Sequence, residues 1–156
     1  MAHTPTDADP NHWHRFFAVE GNNRAWDLAV QNRDPAGDQE LLNAAHASAW
    51  HWQVVGTELN HMRAKMLLAE VHALLGHGET ALAYAEEMRS YFLGKQDTPD
   101  WELAFTHAVY AHAAHAAGRS DLHAQAYEAA EAAVAAVADE QDRAIVLETF
   151  RQVPAP

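Results

Sequence analysis

The chain has no cysteine among its 156 residues, which excludes a disulfide, a thiolate metal site and a cysteine nucleophile, and which fits a reducing compartment. Positive charge is also scarce, with ten Lys and Arg against 22 Asp and Glu and a formal net charge of −12. Acids recur late in the chain as Glu86, Glu87, Glu128, Glu131, Asp139, Glu140 and Asp142. Non-specific nucleic-acid binding needs Lys and Arg to neutralise phosphates, and an anionic lipid surface repels such a field. Neither nucleic acid nor a membrane is therefore an expected partner. Long apolar runs are missing too, since His, Glu, Arg or Gln interrupts each one well before the ~20 residues a membrane span needs. Residues 1–9 are polar and lack a basic segment followed by an apolar one. They read as a disordered tail without a signal peptide, and a cytoplasmic location is expected. No β-branched alternation occurs, so strand signals are absent.

What remains is a chain that is 49% hydrophobic, enough for a sizeable core in one domain, placed at residues 10–152. Gly56, Gly76, Gly94 and Gly118 each follow a long apolar-rich segment, where a left-handed C-terminal cap is wanted. N-caps are expected at Asp9 before Pro10, Asp38, Thr57, Thr98 before Pro99, Ser120 and Asp139. These signals delimit about seven helices, near 10–31, 39–55, 58–75, 79–93, 99–117, 121–138 and 140–152. On the third, Met62, Met66, Ala69 and Ala73 share one side, and Leu67, Leu68, Val71, Leu74 and Leu75 widen the stripe. A stripe that broad belongs to a helix covered on two sides. With short loops the fold is all-α, a set of antiparallel helical hairpins, either a stack or a compact bundle. Ala81, Ala83 and Tyr84 after Gly76 are echoed by Ala124, Ala126 and Tyr127 after Gly118, an offset of about 42 to 43 residues that favours the stack.

Leu68, small Ala69, the turn glycine Gly76 and small Ala81 match packing positions of the tetratricopeptide repeat, and over roughly Asp38 to Asp139 the chain resembles that family. It departs from the pattern at Lys65 and His72, where large aromatics are usual, and no proline closes the unit. In the second copy Ala111 and Gly118 keep their places, and the turn reads one residue longer, leaving His123 or Ala124 at the small position. The resemblance implies a tetratricopeptide-like α-solenoid, a binding scaffold whose concave surface takes a protein or peptide partner. The family's carboxylate clamp of Lys, Arg and Asn is not matched here.

Twelve histidines are the unusual feature. His112 with His115 and Glu58 with His61 have the spacing of three that puts two ligands on one helix face, which makes His112 and His115 the metal candidates. A carboxylate-bridged dimetal site would need a second Glu-x-x-His pair, and none follows. A denser group is His12, Trp13, His14, Phe16, Phe17, Glu20, Asn22, Asn23, Trp26 and Asp27, facing His46, Trp50, His51 and Trp52 of the second helix. Aromatics with convergent polar groups build small-molecule pockets, so Glu20, Asn23, Asp27, His46 and Trp50 are the ligand candidates. The competing reading makes the first helix a cap on the stack, broken at Gly21. His46 and His51, five apart and about 140° around the axis, are not expected to share a pocket. No phosphate loop, nucleophile elbow or zincin motif occurs. Two readings stay open: a helical-repeat interaction module, including one that self-associates, and a small-molecule or metal-binding protein or enzyme that uses the His and aromatic cluster. The sequence leaves the cofactor unknown.

Overall fold

In the computed structural model, which describes residues 3, 4, 6 and 8–156, the described residues form seven α-helices and no strand. They are α1 (Pro10–Ala29), α2 (Pro35–Val55), α3 (Glu58–Leu74), α4 (Gly78–Leu93), α5 (Asp100–Ala116), α6 (Ser120–Ala136) and α7 (Glu140–Phe150). Of the tail expected to be disordered, residues 1, 2, 5 and 7 lie outside the described residues.

Local chemistry sets most of the ends. Asp9 accepts from the Asn11 amide at 2.9 Å with Pro10 in the first turn. Asp139 accepts from the amides of Gln141 and Asp142. At Thr57 the Asn60 side chain reaches back to the Thr57 amide at 3.0 Å, an orphan donor satisfied. The second helix begins at Pro35, four residues before the expected start at 39, because the cap is Asp34 and not Asp38: Asp34 accepts from the Gly37 amide at 2.8 Å. Asp38 instead binds Arg33, whose guanidinium also donates to the carbonyls of Leu28, Ala29 and Gln31 and so ties down the α1–α2 loop. Thr98 is no N-cap either: its hydroxyl donates to the Phe92 carbonyl at 2.7 Å and closes the end of α4, leaving Pro99 to start α5. Arg119 takes the capping position expected at Ser120.

Only two of the four punctuating glycines are left-handed, Gly76 at φ +76° and Gly118 at φ +69°. Both sit in the same turn: His77 N–H bonds the His72 carbonyl at 2.8 Å, and Arg119 N–H bonds the Ala114 carbonyl at 2.9 Å, a six-to-one closure in each copy. The two turns are therefore equal in length, and the second is not one residue longer. His123, whose amide bonds the Arg119 carbonyl as that of Ala81 bonds His77, occupies the small position. It is buried and hydrogen-bonds the Pro154 carbonyl at 2.7 Å. Gly21 does not break α1. The helix runs through it, and a Cβ there would stand 2.9 Å from the Ala44 carbonyl oxygen, so the glycine marks the close approach of α2.

Connections are short (30–34, 56–57, 75–77, 94–99, 117–119 and 137–139), so neighbouring helices form antiparallel hairpins. Each odd-numbered helix also packs on the next odd one, α1 on α3, α3 on α5 and α5 on α7. α3 is covered on two sides, as its sequence stripe implies. Leu67, Leu68 and Val71 join a core with Leu28 and Leu41, while Met66, Ala69 and Ala73 join a second core with Met88, Phe92 and Val109. No helix of the described residues is long and apolar enough to cross a membrane.

Candidate functional site

Helical spacing brings one short stripe from each odd-numbered helix to a single cavity of about 410 Å³. α1 gives Asn22, Trp26 and Asp27, with Val30 just past its end, and α3 gives Arg63 and Met66. α5 gives Trp101, Glu102 and Phe105, and α7 gives Ile145, Glu148 and Thr149. The residues repeat at three or four along each helix, which is what one face of a helix requires. Trp26 packs on Phe105 with ring centroids 5.5 Å apart, and Trp101 meets Phe105 edge-on at 6.3 Å.

One ion pair spans the floor. Arg63 grips Glu102 in bidentate fashion, with Nε to Oε1 at 2.6 Å and an Nη to Oε2 at 3.1 Å, and its guanidinium lies 5.5 Å from the Trp101 ring centroid. The hydrogen bond to Glu102 raises the pKa of Arg63, burial opposing it. Glu102 is 2% exposed, so Arg63 is the counter-charge that makes its burial tolerable. Among the described residues, Asp27 and Glu148 form no hydrogen bond or ion pair through their carboxylates. The hydroxyl of Thr149, a residue 2% exposed, likewise has no hydrogen-bond partner among the described residues.

A second cavity, of about 540 Å³, lies between α2, α3 and α4 and is lined by His46, Trp50, Glu58, His61, Lys65 and Tyr84 among others. His46 opens a row of imidazoles: its Nε2 is 3.1 Å from Nε2 of His72, and Nδ1 of His72 is 3.0 Å from Nδ1 of His77. The His72 ring stacks on Tyr84. Burial, and then the neighbouring His46 and His77, push the His72 pKa down to about 4, and burial lowers that of His46. His51 looks elsewhere, with its Nδ1 2.8 Å from that of His14. The five-residue spacing of His46 and His51 thus separates them.

The ligand candidates do not converge. Asp27 lines the first cavity, His46 and Trp50 line the second, and Glu20 and Asn23 are exposed on α1 and line neither. Of the metal candidates, His112 is engaged by the fully buried Glu70, its Nδ1 3.0 and 3.1 Å from the two carboxylate oxygens. Burial opposes charge on His112, but the Glu70 carboxylate outweighs it and the pKa is raised. His115 is exposed and packs on the His123 ring at 4.9 Å. Among the described residues no group of three or more His, Cys, Asp or Glu has metal-holding geometry.

The described residues thus form an all-helical fold in which all the odd-numbered helices together build the first cavity. Comparison of the chain with protein-family models, curated proteins and solved structures finds no match. Sequence reasoning missed Arg63, Trp101, Glu102 and Phe105, which come from segments with no local motif. One trace was present: Arg63 and Phe105 are 42 apart, the same offset as between the turn glycines Gly76 and Gly118.

Proposed function

We propose that the chain is a helical-repeat interaction module of tetratricopeptide-like architecture, which binds a protein or peptide partner in the cavity between α1, α3, α5 and α7. The observation that carries this reading is the convergence of four helix faces on one cavity with an aromatic floor and an open apolar rim at Val30 and Ile145, 43% and 56% exposed. Large apolar side chains held at a concave surface are anchor points for partner side chains. The packing of each odd-numbered helix on the next is the contact order of stacked hairpins, and it supports the repeat reading.

Selection of random dodecapeptides on the native chain tests it. Ile145→Arg alters an exposed rim residue and should leave the melting temperature unchanged. The selected peptides should bind it at least tenfold more weakly, while Trp50→Ala should bind them as the native chain does. Peptides indifferent to Ile145→Arg would place the partner elsewhere.

The second reading, a small-molecule protein, is favoured by the larger, more polar cavity beside His46 and Trp50. A metabolite panel that quenches tryptophan fluorescence in the native chain and not in Trp50→Phe would support it over the first.

A further inference from the structure

The charges on the first cavity are lopsided once its ion pair is set aside. Arg63 is the cavity's one basic residue, and it is engaged by Glu102 through two hydrogen bonds and by the Trp101 ring. The charges left are Asp27 on α1, which Arg24 meets only through its field, and Glu148 on α7, and among the described residues neither carboxylate has a hydrogen bond or ion pair. Thr149, beside Glu148 in sequence and 2% exposed, adds a hydroxyl oxygen with no hydrogen-bond partner. An incoming anion would meet two like charges and no free donor of positive charge. A wholly apolar group would strip water from the carboxylates and give nothing in return. A cation answers the negative charge of this lining, and the faces of Trp26, Trp101 and Phe105 attract it as well.

We infer that the partner's anchor is a cationic side chain, arginine or lysine, seated in the first cavity between Asp27 and Glu148, with its apolar stem against Met66 and Ile145. The inference rests on the interaction-module reading above and names the chemistry of its partner. The cavity already holds one such arrangement in miniature, the Arg63 guanidinium over Trp101 and against Glu102. The net charge of −12 steers a basic segment towards the chain. The seat has a mechanical consequence. α1 packs on α2 and α3, and α7 packs on α5 and α6, so a cation held by Asp27 and Glu148 bridges the first helix of the fold to the last. The volume of about 410 Å³ exceeds one guanidinium and leaves room for the stem and a flanking residue, which favours a peptide over a free small cation.

The test uses hexapeptide pools, free of tryptophan, with one position fixed as Arg, Lys, citrulline, Gln or Glu. Binding to the full chain is read by its tryptophan fluorescence. Arg and Lys pools should bind at least tenfold more tightly than the citrulline and Gln pools, as expected of charge-assisted hydrogen bonds, and the Glu pool most weakly. In the double variant Asp27→Asn, Glu148→Gln, both sites exposed and its melting temperature unchanged, the preference should shrink to twofold or less. Spermidine and N-acetylarginine amide should each bind at least tenfold more weakly than the Arg pool. Pools that bind in an Ile145→Arg-sensitive manner without distinguishing Arg from citrulline would overturn the cation seat and leave the module reading intact. Spermidine binding as tightly as the Arg pool would overturn the peptide source. Binding indifferent to Ile145→Arg, or none by any pool, would remove the module reading and this inference with it.

Discussion

At His72 three residues compete for one buried ring: His46 and His77 each take one of its nitrogens, and Tyr84 stacks on its face. The ring is neutral at pH 7, because its pKa is pushed from 6.5 down to about 4. A group depressed in the folded state binds its proton more readily when unfolded. The stability it supports is thus present above about pH 6.5 and lost as pH falls toward 4. His46, His51, His107 and His115 shift in the same direction, chiefly through burial, and His112 alone among the shifted histidines is raised. His112 contributes the opposite slope: its pairing with Glu70 stabilises at low pH and fades as pH rises through its raised pKa. The majority sets the sign, so the chain should lose stability between pH 7 and pH 5. His72→Phe, which restores an aromatic of similar shape and leaves the exposed His46 and His77 to water, should lessen that loss by about 1 to 2 kcal/mol in urea melts at the two pH values. The ion pair on the cavity floor makes a second residue-scale prediction. Removing the half-exposed Arg63 strands a buried carboxylate, so Arg63→Met should cost about 2 to 4 kcal/mol, and Glu102→Gln, which leaves only the more exposed partner unpaired, distinctly less. Equal costs would mean that Glu102 finds water in the cavity.

The helices themselves were largely legible because their ends are short-range events. Asp9, Thr57 and Asp139 lie within three residues of the groups they serve, and pattern alone locates such caps. Asp38 misled because it also precedes an apolar stretch, and only the Asp34–Pro35 pair sets the true start. The left-handed turns at Gly76 and Gly118 were readable for the same reason, whereas Gly21 was not. Its role depends on Ala44 and Ser48 of another helix, and no local pattern reports that. Ala69 and Ala111 have no exposed surface and sit in the core of α3 and α5, so Ala69→Leu and Ala111→Leu should each lower stability by roughly 1 to 3 kcal/mol in thermal melts. Gly78 gives a sharper comparison: a Cβ there would lie 2.2 Å from the Ala116 carbonyl oxygen, a backbone atom. Gly78→Ala should therefore destabilise despite the better helix propensity of alanine.

Across the whole molecule, the aromatic residues flagged by the sequence part company: Trp26 lines the first cavity, Trp50 the second, and Trp13, Phe16 and Phe17 pack on one another away from both. Trp26 packs on Phe105 of α5 and, with Asp27, lines the first cavity, whereas His46 and Trp50 of the second helix face α3 and α4. A sequence shows that Trp26 and Trp50 are near one another along the chain. It cannot show that Arg63, Trp101 and Ile145, separated by whole helices, close a cavity with the first of them and not with the second. That distribution also supplies the most direct measurement of the central claim. The five tryptophans report separately: Trp26 and Trp101 line the first cavity, Trp50 lines the second, and Trp13 and Trp52 line neither. Their indole N–H resonances, followed by nitrogen-15 correlation spectra while a selected peptide is added, should divide in the same way. Peptide binding in the first cavity should give saturable shifts of Trp26 and Trp101, with Trp13, Trp50 and Trp52 holding still. Shifts confined to Trp50 and its neighbours, with Trp26 and Trp101 unmoved, would contradict it.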